Sequence, residues 1–134
     1  MSVYRIYVEK KPEFAAEANS TLSDIRSALG MENLKGLRVL NRYDAEGLSE
    51  EDFNLAVPVV FSEPAVDVNY PHLPAIGKTD RIFAIEYLPG QFDQRADSCA
   101  QCISLLTGGT RPVVKSARII ILSGNISDEE FAKI

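Results

Sequence analysis

At 134 residues, 46% hydrophobic and 25% charged, the chain has the length and composition of one globular domain, large enough to bury a core. Its formal charge is -5 and its Lys and Arg residues are scattered, so it lacks the basic patch that nucleic acid or an anionic membrane surface demands. No apolar run approaches the roughly 20 residues that span a bilayer, and no charged-then-apolar leader opens the sequence, so a cytoplasmic location is expected.

Val3 to Glu9 mixes β-branched and aromatic residues with polar alternates and reads as a strand, ended by Lys10, Lys11 and Pro12. From Glu13 the apolar positions Phe14, Ala18, Leu22, Ile25 and Leu29 recur at three and four residues, which predicts a helix closed by Gly30. Gly36 to Tyr43 reads as a second strand, turning out at Asp44, Ala45, Glu46 and Gly47. Ser49 followed by Glu50, Glu51 and Asp52 is a capped helix start, with Phe53, Ala56 and Val57 as its buried face and Pro58 as its limit. Val59, Val60, Phe61 and then Ala65 to Asn69 are expected to be extended. Residues 71–79 are read as a connector, and His72, with no partner near it in sequence, as a loop residue.

Asp80 to Tyr87 predicts another strand, which runs through Leu88, Pro89 and Gly90 into a second amphipathic helix. Phe92, Ala96, Cys99, Ala100, Ile103 and Leu106 share one face of it. The bend between strand and helix concentrates polar groups, and Gly90, Gln91, Asp93, Gln94, Arg95 and Asp97 are the candidate binding residues. Free N–H groups at a helix start attract anions, and Arg95 adds a two-pronged donor for phosphate or carboxylate. Asp93 and Asp97 pull the other way: one turn apart, they suit a magnesium ion bridging to a phosphate. The structural alternative is that Asp93 is an N-cap, Asp97 a charge placed well in the helix dipole, and Arg95 a solvated partner. Cys99 and Cys102 form a C-x-x-C about two turns into the helix, too late for a dipole-activated redox pair, and with His72 the only histidine they lack the ligands of a structural zinc site. Gly108 and Gly109 read as a helix stop rather than a phosphate loop, and Val113 to Leu122 is the strongest strand pattern in the chain.

The second part repeats the first. Pro12 and Pro89 precede amphipathic helices, Lys35 and Arg38 match Lys115 and Arg118, and Ser49 to Phe53 matches Ser127 to Phe131. The expected architecture is therefore α+β, with two similar halves, residues 1–70 and 80–134, and an antiparallel sheet with helices packed on one face. The second half stops just after its Ser-capped helix begins, which leads to the expectation of an N-terminal piece of a longer protein.

The run Tyr87 to Gln101, with Val8 to Pro12, Asn41 to Gly47 and Val60 to Pro64, resembles the N-terminal domain of the phosphoribosylformylglycinamidine synthase family. The resemblance covers essentially the whole chain and departs from the family at Cys99, where a small residue such as alanine is expected. It implies two fused copies of the small subunit used by the multi-subunit form of that enzyme. It further implies a single-chain glutamine amidotransferase of purine biosynthesis, a ligase in which ATP and magnesium serve domains further along. The resemblance also implies that this piece holds no catalytic residue, no cofactor and no metal. Its partners are then the synthetase and glutaminase domains of the same chain, and its polar bend lies at the edge of the nucleotide substrate's site. A sheet edge lacking its final strand is also a place for self-association. The rival expectation is a free-standing metabolite-binding or regulatory module.

Overall fold

Alternation sets the first strand, β1 (Val3–Lys10): Ile6 and Val8 are buried on one side of it, and Tyr7 is buried on the other. The computed structural model describes residues 3–31, 33–74, 80–88, 91–124 and 127–133. A 3-10 turn at Pro12–Phe14 leads into α1 (Ala16–Leu29), which ends on Gly30 in the left-handed conformation. There follow β2 (Leu34–Glu46), α2 (Glu50–Ala56), a π turn at Val57–Phe61 and β3 (Asp67–Tyr70). The Ser49 hydroxyl caps α2, accepting the Asp52 N–H at 3.1 Å. The chain continues with β4 (Arg81–Glu86), α3 (Gln94–Thr107), β5 (Val113–Gly124) and α4 (Asp128–Lys133).

The five strands form one antiparallel sheet in the order β3-β1-β2-β5-β4. The fold is the expected α+β, and the packed helices share one face. On that face α1 covers Leu37, Ile120 and Leu122 through Ala18. Beside it α2, the π turn and α3 cover Ile6, Val8, Tyr43 and Ala45 through Phe53, Phe61 and Ile103. The other face carries a smaller cluster of Tyr7, Leu40, Ile119 and Ile121, with Tyr70 packed against it.

Ion pairs flank that second cluster. Arg5 donates to Asp44 from two nitrogens, Arg42 pairs with Glu86, and Arg38 donates to both Glu9 oxygens at 2.6 and 2.8 Å while the Tyr70 hydroxyl donates to Glu9. Arg38 and Arg118 are both paired while remaining partly exposed, Arg118 with Glu17 of α1. Differences from expectation follow from tertiary context. β2 runs past its expected end to Glu46 because β1 and β5 both supply partners there. Val59–Phe61 is helical rather than extended, since Phe61 must turn inward onto Tyr43 and Phe53. Phe92 and Leu106, placed on the buried face of α3 by spacing, are 69% and 40% exposed. Gly124 has φ 129°, and a Cβ there would lie 2.2 Å from the Asn33 carbonyl oxygen, so the end of β5 tolerates no side chain.

Leu122 is fully buried beneath α1, whereas Leu105 on α3 is 77% exposed. Leu122→Ala is expected to cost about 3 kcal/mol in urea unfolding and Leu105→Ala less than about 0.5 kcal/mol.

Candidate functional site

The polar bend before α3 resolves into residues with separate tasks. Gln91 is bonded to Leu88: its side-chain oxygen accepts the Leu88 N–H at 2.7 Å, and its own N–H donates to the Leu88 carbonyl at 3.0 Å. Asp93 is the N-cap of α3, with Oδ1 accepting the Ala96 N–H at 2.9 Å. Its carboxylate also accepts the Ser116 N–H at 3.0 Å and the Ser116 hydroxyl at 2.8 Å, which ties the helix start to β5. Asp97 pairs with Arg111, which also donates to the Asp97 carbonyl oxygen at 3.0 Å. Gln94 is exposed on the first turn of α3. Gly90 lies outside the described residues.

Two carboxylates committed in this way do not fit a shared magnesium ion. Asp93 spends its oxygens on backbone and hydroxyl donors, and Asp97 faces a guanidinium. Among the described residues no three of His, Cys, Asp and Glu come together as a metal-holding group.

Arg95 behaves differently. Its guanidinium turns back from α3 towards the sheet and donates from Nη1 to the Tyr43 hydroxyl oxygen at 3.3 Å. That bond holds the guanidinium above its ordinary pKa against the opposing effect of burial. Burial in turn raises the Tyr43 phenol, partly offset by Arg95, so at neutral pH the pair is a guanidinium beside a neutral hydroxyl. Both residues line a cavity of about 580 Å³ between β1, β2, β3, the start of α1 and the π turn. Val8, Val39 and Phe61 give it apolar walls, Asn41 adds an amide, and Lys11 sits in its lining near the start of α1.

Of the six residues that the sequence singled out, Gln91, Asp93 and Asp97 are therefore engaged in holding the bend itself, and Arg95 reaches the cavity. Tyr43 and Asn41 were not anticipated as site residues, because they read as ordinary positions in a strand. The signal available was parity: they alternate with Leu40 and Arg42, so they share the helix-covered face with Leu37 and Ala45.

The cysteines stay apart from this chemistry. Cys99 is buried on the core-facing side of α3, and burial pushes its thiol up to about 11, while Cys102 is exposed. No helix among the described residues is long and apolar enough to cross a membrane.

No protein-family model, no curated protein and no solved structure matches the chain.

Iodoacetamide at pH 8 is expected to label Cys102 in the folded protein and to reach Cys99 only after denaturation, as read by peptide mass spectrometry. Asp93→Ala is expected to cost about 2 kcal/mol in urea unfolding, since it removes a cap and leaves the Ser116 donors without their acceptor.

Proposed function

We propose that this chain is the N-terminal, non-catalytic domain of a phosphoribosylformylglycinamidine synthase, organising synthetase and glutaminase domains that lie further along the same chain. In this reading the bend that carries Gln91, Gln94 and Arg95 contributes to the edge of the site for formylglycinamide ribonucleotide. ATP and magnesium belong to the synthetase domain, which agrees with the poor fit of Asp93 and Asp97 to a cation. The observation that carries the reading is Arg95. It lies inside the Leu88 to Ser98 run on which the resemblance rests, and among the described residues no carboxylate pairs with it.

The two-halves reading belongs to the same proposal. Helices α1 and α3 each have 14 residues, and each ends on a glycine in the left-handed conformation, Gly30 and Gly108. β1 pairs antiparallel with β2 as β4 does with β5, and β2 pairs with β5 at the centre, the arrangement expected of two copies joined side by side. A free-standing metabolite-binding module is the second reading, favoured by the cavity beside Arg95.

In the full-length enzyme, Arg95→Ala is expected to raise KM for formylglycinamide ribonucleotide roughly tenfold, the loss of one charge-assisted contact, with glutaminase activity unchanged. An unchanged KM removes the bend from the substrate site. A coding sequence that holds no synthetase domain favours the module instead.

A further inference from the structure

We propose that the cavity between α1, the π turn and the β1–β2 floor binds a small organic anion. Its carboxylate or phosphate is held by Arg95 and Tyr43, and its apolar body lies against Val8, Val39 and Phe61. This goes beyond the reading above, because the ligand sits within the domain rather than at a boundary with another.

The cavity's volume, about 580 Å³, falls in the range of small-molecule sites, roughly 300–1,000 Å³, and its lining sets Val8, Val39 and Phe61 beside seven charged residues. Charge decides the class of ligand. Three acidic residues contribute to its lining, and each side chain already has a cation: Glu9 pairs with Arg38 at 2.6 Å on the opposite face of the sheet, Asp67 with Lys10 at 3.0 Å, and Glu17 with Arg118. The two remaining cations of the lining, Lys11 and Arg95, pair with no carboxylate among the described residues. A protein of net charge -5 thus presents a locally cationic cavity.

Hydrogen-bond valence points the same way. The Tyr43 oxygen accepts from Arg95, so its own proton remains to be donated, and the guanidinium has further N–H groups beyond Nη1. Neighbouring donors from a guanidinium and a neutral phenol suit the oxygens of one carboxylate or phosphate. A cationic ligand would meet two like charges, and a neutral one would leave the guanidinium desolvated without a counter-charge.

The test is a 15N–1H titration of the 134-residue chain with phenyl phosphate, phenylacetate and, as the neutral analogue, benzyl alcohol. Saturable shifts at the amides of Val8, Val39 and Tyr43 are expected with at least one anion, at an affinity at least about tenfold above that of benzyl alcohol. Which anion binds more tightly decides between phosphate and carboxylate. Arg95→Gln is expected to weaken anion binding about tenfold and Tyr43→Phe several-fold, with circular dichroism unchanged in both. Lys11→Gln, at a lining charge that is not a member of any core cluster, serves as the variant least able to disturb folding and is expected to weaken binding about twofold. Equal affinity for benzyl alcohol, wild-type binding by Arg95→Gln, or no saturation by about 10 mM of either anion overturns the proposal. Anion binding by this chain together with an unaltered substrate KM in the full-length enzyme leaves the cavity site standing and removes only the substrate-edge role.

Discussion

The ladder between β2 and β5 is the constraint on which the rest of the structure depends. These are the two longest strands, and they pair antiparallel from Leu34 opposite Gly124 to Glu46 opposite Val113. β1 and β4 are each added to an outer side of this pair, and β3 is added to β1. Both faces of the sheet draw on the same two strands: Leu37, Ile120 and Leu122 point to the helices, and Leu40, Ile119 and Ile121 to the opposite face. Without that ladder each side would keep two or three strands and too little apolar cover to persist alone.

Position at the cavity is inherited from the ladder through one carboxylate. Asp93 caps α3 and grips Ser116 of β5, so the first turn of α3 has a fixed place over the sheet. Arg95, two residues on, then needs only one longer hydrogen bond to Tyr43 of β2 to set its guanidinium. The stronger contacts are structural and the weaker one faces the cavity, the order expected if a rigid frame presents a donor that a ligand can recruit. The same logic explains why Asp97 and Gln91, conspicuous in sequence, do other work: one is answered by Arg111 and the other by the backbone of Leu88.

Much of this was legible in the sequence where local physics and tertiary context agree. Asp93 as the cap of α3, Ser49 as the cap of α2, and Gly30 and Gly108 as helix ends all follow from backbone chemistry confined to a few residues. Most of the strands and helices followed from alternation in the strands and three-to-four spacing in the helices. What depended on distant neighbours was not legible. Arg38 and Arg118 find Glu9 and Glu17 across strand and helix, and no local pattern foretells that. Val57–Phe61 turns helically because its aromatic residue is claimed by Tyr43 and Phe53, although its β-branched composition argues for a strand. The cavity is likewise a product of packing: its lining is drawn from β1, α1, β2, the π turn, β3 and α3.

The topology of the sheet also bears on how the chain reaches it. Among the described residues no strand pair is a tight hairpin. β1 meets β2 only across α1, β4 meets β5 only across α3, and partners in the central ladder stand half a chain length or more apart. Contacts of such high sequence separation exact their loop-closure entropy before they return any stabilisation, which places folding on the millisecond-to-second side of the range for domains of this size. Until the ladder closes, Leu40, Ile119 and Ile121 on one face and Leu37 and Leu122 on the other stand open to solvent together. The interval before closure is therefore when this chain is most exposed to association with its neighbours, and the longer the wait for β5, the greater that exposure.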